Sequence, residues 1–334
     1  MRFRLAFWAE DISPVDIESE ALPLLIEYNA CVACALPRER VTEENAMALK
    51  RIQEAGVEVS FWPLLDECDG YWPNERNAAP FVFYVDELLE WASGHGFRPD
   101  RVAFDMEMPL RMMRALEQSS GLEALRSLPG ILKENSDRAR FEASREIFIA
   151  AVTDLQARGI FVEAAILPWI AFDIYEGTDA LQDLTETPVS GIPWDSVSPM
   201  WYSSMIEGLT GGHVKVADAD SLAYMASVML RSRLGKATAV SLGATGCGVL
   251  GGERVFDSPE ELVAGLSGAL SAGIRDLSIY SLEGVLARSD PRAWFAALRA
   301  AKPTVPPHSE KVKRIITGSR YVIPAIDRIH RLRK

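Results

Sequence analysis

The stretch "RVAFDMEMP", Arg101 to Pro109, opens as an apolar strand and closes on two carboxylates, Asp105 and Glu107, set two residues apart. Side chains alternate across a strand, so the spacing predicts that both acids look the same way. A strand this hydrophobic is covered by protein on both faces, as the strands of a parallel sheet are. Its acids therefore either sit inside the fold or mark the end where strands open onto a ligand.

Seven more apolar runs of this kind surround it: "RFRLAFWAE", "ACVACALP", "VEVSFWPLL", "IFVEAAILPW", "SVSPMWYSS", "TAVSLGAT" and "DLSIYSLEG". Between them lie segments with apolar positions at helical spacing, among them "VTEENAMALKRIQEAG", "APFVFYVDELLEWASGHG" and "SPEELVAGLSGALSAG". Two of these open on Thr or Ser before acidic residues and all three end at Gly, as capped helices do. Strand then helix, eight times over, predicts one (β/α)₈ barrel over residues 1–301, followed by a basic C-terminal tail at 302–334.

Such barrels place their chemistry at the C-terminal ends of the strands. Those ends carry Trp8 and Glu10, Trp62, Asp105 and Glu107, Glu163 and Trp169, Trp201 and Tyr202, a glycine-rich loop from Gly243, and Tyr280 with Glu283; the loop "DECDGYWPNERNA" adds Tyr71, Trp72 and Asn74. Rings beside carboxylates suit a sugar, whose CH faces stack on aromatics while its hydroxyls need acceptors.

Composition narrows the alternatives. The net charge is −12; nine Lys/Arg against Glu310 and Asp327 leave +7 on the tail, so residues 1–301 carry −19. An acidic body without a basic groove argues against a nucleic-acid partner. The tail mixes Ile, Val and Tyr with its basic residues, a pattern for docking on the acidic body or for contact with a membrane surface. No apolar run approaches the roughly 18 residues of a membrane span, and the first residues lack a signal-peptide pattern, so the expected location is cytoplasmic. The four histidines, His95, His213, His308 and His330, fall outside the expected strands, and no lysine lies within one. Neither a histidine-ligated metal nor a Schiff base is expected, and no organic cofactor is implied. Cys31 and Cys34 form a single CxxC with no second pair, and read as buried small hydrophobes.

With these residues in place, three motifs resemble the chitinase-like glycoside hydrolases of family 18. The family's D-x-x-D-x-D-x-E on strand four is similar to "DRVAFDME", which keeps Asp100, Asp105 and Glu107 with Ala103 in place of one acid. Its M-x-Y-D matches "MWYS", with Met200, Tyr202 and Ser203 for the acid, and its W-S-L-D resembles "YSLE", Tyr280 to Glu283. The resemblance implies that Glu107 protonates the leaving oxygen, while Asp105 and Tyr202 orient a substrate N-acetyl group that attacks the anomeric carbon. Without an N-acetyl group, Glu283 or Glu163 would have to be the nucleophile. The expected site therefore joins Glu107, Asp105, Tyr202 and Glu283 with a carbohydrate-binding set of Trp8, Glu10, Trp62, Trp72, Glu163, Trp169, Trp201 and Tyr280. Two other readings are a phosphosugar or phosphate-ester enzyme using the strand-seven glycine loop, and an inactive carbohydrate-binding barrel.

Overall fold

The computed structural model describes residues 3–118, 137–209, 212–246 and 255–331. Eight parallel strands close into a barrel in chain order, β1 Arg4–Ala9, β2 Cys31–Leu36, β3 Val59–Pro63, β4 Arg101–Met106, β5 Phe161–Ile166, β6 Ser196–Trp201, β7 Val240–Gly243 and β8 Asp276–Tyr280. β1 pairs with both β2 and β8, which completes the (β/α)₈ architecture and leaves no open edge.

The helices between them start and stop where local chemistry dictates. Glu43–Glu54 is capped by the Thr42 hydroxyl, which accepts from Asn45 N at 3.2 Å. That helix, Ala78–Gly94 and Pro259–Ser271 are followed by Gly56, Gly96 and Gly273 at φ of 86°, 76° and 87°. Only a residue without Cβ takes this left-handed turn freely.

Register and alternation sort the strand residues into two sets. Leu5, Phe7, Val32, Cys34, Phe61, Phe104, Val162, Ile166, Leu277 and Ile279 face the helices and are buried in the main apolar core. The inward set is small or polar through the middle of the barrel: Ala6 pairs with Ser278, Ser278 with Ser241, and Ala33 with Ser60. Small inward residues leave room beneath the C-terminal mouth for large rings. At the opposite end an ion-pair network plugs the floor. Arg4 binds Glu58 at 2.6 Å and Asp276 at 2.7 Å, and Arg101 binds the same two acids at 2.9 and 2.8 Å. Cys31 and Cys34 fall on opposite faces of β2, and burial pushes their thiols up to about 11 and about 12.

The C-terminal helix Glu310–Arg331 lies along the body. It buries Val312, Ile316 and Ile323, while the Ser309 hydroxyl just before it donates to Asp218 Oδ1 at 2.6 Å. Its other face exposes Tyr321, Val322 and Ile329. Among the described residues no helix is long and apolar enough to cross a membrane.

Candidate active site

A cleft opens at the C-terminal ends of the strands, lined by Trp8, Glu10, Trp62, Trp72, Asp105, Glu107, Ala165, Met200, Tyr202 and Tyr280. Each lining strand residue is inward by register. Asp105 pairs with Ala165, and Trp8 with Tyr280.

Simple alternation brings Asp105 to the cleft but not Glu107, because β4 ends at Met106. There Glu107 N donates to Asp105 O at 2.8 Å, a tight three-residue turn centred on Met106. Beyond that turn the Glu107 side chain still lines the cleft beside Asp105.

The walls are held by hydrogen bonds that sequence alone did not reveal. The Trp8 indole donates to Ser241 and Ser278 hydroxyls, each at 3.0 Å, and packs edge-on to Trp62 at 5.0 Å between centroids. The Tyr202 hydroxyl shares Ser241 at 3.2 Å, and its ring stacks on Tyr280 at 5.4 Å. Ser241 and Ser278 could have been placed on the inner face by alternation, but nothing in the sequence names their partners. Trp72 stands on a loop pinned at its own carbonyl, which accepts from Asn74 Nδ2 at 2.8 Å and Asn77 Nδ2 at 2.9 Å. The same loop brings the Tyr71 hydroxyl to Glu10 Oε1 at 3.1 Å, opposite the Tyr280 hydroxyl at Glu10 Oε2, 2.6 Å away.

Three carboxyls thus share one small, partly dry space. Burial holds Asp105 well above the usual carboxylate range; the charge of Glu10 adds to the rise and the Trp62 indole offsets part of it. That indole closes no hydrogen bond of full geometry, and Asp105 Oδ1 is buried without a partner. Glu107, half-buried, is raised by burial, then by Asp105 and by Glu10. Glu10 is raised by burial against the pull of its two tyrosine donors. Arg111 and Arg114, the cations next along the chain, reach Glu186 at 3.4 Å and Glu67 at 2.7 Å.

Four expected site residues are placed elsewhere. Glu163 is inward but two residues below Ala165, at the floor, where Arg101 stands 3.8 Å from it. Trp201 falls between the inward Met200 and Tyr202, so it faces the helices and packs on Phe172 at 6.2 Å. Trp169 flanks the start of the helix Ile170–Glu176, half-buried against the core. Glu283 turns toward β1, where Oε1 accepts from Glu10 N and Asp11 N, each at 3.3 Å.

Of the strand-seven glycine loop, residues 247–254 lie outside the described residues. The described start is packed on the end of β8, with Thr245 Oγ1 donating to Ser281 O at 2.9 Å. A Cβ on Gly246 or Gly284 would strike the other segment's backbone, so these glycines are explained by close approach.

No family model matches the chain, and no curated protein matches it. Solved structures do match in fold. The spore cortex-lytic enzyme SleL of Bacillus megaterium QM B1551 superposes with a TM-score of 0.54 at 12% identity, covering 90% of this chain and 74% of that one. The glycoside hydrolase domain of PgaB (BpsB) from Bordetella bronchiseptica gives 0.52 at 12%, covering 89% and 99%. Saccharomyces cerevisiae Gas2p, solved with laminaritetraose and laminaripentaose, gives 0.51 at 11%, covering 93% and 68%. At these identities the likeness is one of fold, and barrels described as a xylose isomerase domain protein, an epimerase and an aldolase match with TM-scores of 0.46, 0.47 and 0.41.

Proposed function

We propose that the protein is a glycoside hydrolase with Glu107 as general acid and base. The observation that carries this reading is the convergence of Glu107, Asp105 and Tyr202 in one aromatic-lined cleft at the strand ends. Glu107 must hold a proton near neutral pH to deliver it, and burial beside two other acids favours that state. It gives the proton to the glycosidic oxygen as the bond to the anomeric carbon breaks. The carbonyl oxygen of a 2-acetamido group, oriented by Asp105 and Tyr202, forms the new bond to that carbon, and water returned through Glu107 opens the cyclised sugar. The positions of Glu163 at the floor and Glu283 on the β1 turn favour this route over attack by either acid. A phosphorylated substrate is disfavoured, because among the described residues three carboxyls and no Lys or Arg line the cleft.

The test is hydrolysis of a panel of aryl glycosides and oligosaccharides by wild type and Glu107→Gln. The variant should fold and lose on the order of 10²-fold or more in turnover. Unchanged turnover removes Glu107 from the chemistry. Labelling of Glu10 by a mechanism-based fluoroglycoside would replace the substrate-assisted route with a protein nucleophile.

A further inference from the structure

The C-terminal helix Glu310–Arg331 packs one face on the barrel and leaves the other without a task. Val312, Ile316 and Ile323 recur at helical spacing and are buried against the body. On the opposite side Arg314, Tyr321 and Arg328 recur every seven residues, and Val322 and Ile329 form the row beside them. All five are exposed, and Tyr321, at 75%, is the most exposed large apolar side chain among the described residues.

Charge on this helix is as one-sided as its packing. Its two acids are Glu310, in the first turn, where His308 and Lys313 stand 2.8 and 4.0 Å from it, and Asp327, which is buried. Lys311 and Arg320 lean on the body, toward Asp218 at 3.9 Å and over the Tyr175 ring at 5.8 Å. Arg314 and Arg328 pair with no acid of the body among the described residues, so with Lys313 three exposed cations share the outer face with Tyr321, Val322 and Ile329. The body that carries this helix has a net charge of −19 over residues 1–301.

Anionic partners of several kinds complement such a face, and its size and composition separate them. A helix of 22 residues is roughly 33 Å long and about 10 Å across, so its outer face offers on the order of 300 Å², well short of the roughly 800 Å² per partner of a stable protein interface. That disfavours the acidic body of a second copy. A nucleic acid would meet the cations but leave Val322 and Ile329 in water. A lipid surface satisfies both sets: its phosphates take the Lys and Arg heads, a Tyr ring sits at headgroup level, and aliphatic side chains enter the acyl boundary.

We propose that the outer face of the Glu310–Arg331 helix docks the protein on an anionic membrane surface, with Arg314, Tyr321, Val322, Arg328 and Ile329 toward the lipid. The inner face stays on the barrel, so the contact is peripheral and shallow. Each cation near such a surface raises partitioning by about 5-fold, and three together contribute on the order of 10²-fold. The helix also holds the acidic body off, because its diameter of about 10 Å matches the screening length in 0.1 M salt. The inference rests on this helix alone and is independent of the reaction proposed for the cleft.

Co-sedimentation of the full-length protein with vesicles tests it, comparing phosphatidylcholine alone with phosphatidylcholine holding about 30% phosphatidylglycerol, in about 0.1 M salt. The anionic vesicles should bind about 10-fold or more tighter, and about 0.5 M salt should remove most of that preference. Arg314→Glu with Arg328→Glu, at an unchanged melting temperature, should lose about 10-fold or more. Val322→Ser with Ile329→Ser should lose about 5-fold at either salt, since aliphatic insertion is not screened. Should the charge reversal melt early, Arg314→Gln with Arg328→Gln and the salt series on wild type decide. Equal binding to both vesicles, or undiminished binding by the folded arginine variant, overturns the inference. A solution dimer split by the same substitutions would give the face to a second copy, and tighter binding to a short DNA duplex than to the anionic vesicles would give it to a nucleic acid; either result overturns the membrane assignment.

Discussion

The Tyr280 hydroxyl, on the last residue of β8, donates to Glu10 Oε2 at 2.6 Å and so ties β8 to the segment after β1 at the rim of the cleft. The same ring stacks on Tyr202 at 5.4 Å, which makes Tyr280 both wall and donor. Its bond is the largest influence pulling the Glu10 pKa down against burial.

Tyr280→Phe keeps the stacked ring and removes the donor. The Glu10 carboxyl should then titrate at higher pH than in wild type, because its anion has lost a charge-assisted bond. Carbon-detected NMR of labelled glutamate reads this directly; an unmoved or lower titration would show that Tyr71 alone sets the site.

Asp105→Asn removes the neighbouring charge that raises Glu107 most. In the proposed mechanism the proton on Glu107 goes to the leaving group, so activity should fall as pH rises through its pKa. In the variant that alkaline limb should move to lower pH in kcat/KM, on top of a loss of activity. A limb that stays in place assigns it to another group.

The two tryptophans on opposite faces of the wall should behave differently. Trp201→Ala opens a hole against Phe172 and should destabilise the fold by about 3–5 kcal/mol while leaving sugar affinity unchanged. Trp62→Ala strips a cleft wall and should weaken binding by roughly 2 kcal/mol. Weakened binding in a folded Trp201 variant would reverse the facing derived from the β6 register.

At the floor, Arg101→Ala leaves Glu58, Asp276 and Glu163 short of a cation and should cost about 3–5 kcal/mol near pH 7. Asp276 is held below its ordinary value by Arg4 and Arg101 against burial. A depressed folded pKa contributes stability above the unfolded value, near 3.9, and loses it as pH falls through the folded one. The deficit of the variant should therefore be smaller at acid pH, below the folded pKa of Asp276, than at about pH 7. Urea denaturation at the two pH values measures it, and a deficit independent of pH would point to lost packing of the Arg101 stem on Phe161.

The eight strands were legible in sequence because each is a short apolar run bounded by turn residues, and burial on both faces needs no long-range information. For the same reason the strand ends carrying Trp8, Glu10, Trp62, Asp105, Tyr202 and Tyr280 could be read, and all six line the cleft. What one strand says about itself is facing, up to a single-residue choice that its neighbours must settle. Trp201 and Tyr202 are adjacent, and only the pairing of Met200 with Ser241 decides that Tyr202 faces in and Trp201 out. Depth is likewise set between strands: Glu163 pairs with Ala103 one layer beneath Asp105 and Ala165, so the stagger of the barrel, not the sequence of β5, sends it to the floor. The bonds that join Glu10 to Tyr71 and Tyr280 span 61 and 270 residues of chain. Contacts of that range exist only when the barrel closes, and they convert a scatter of acids and rings along the sequence into one acidic, aromatic cleft.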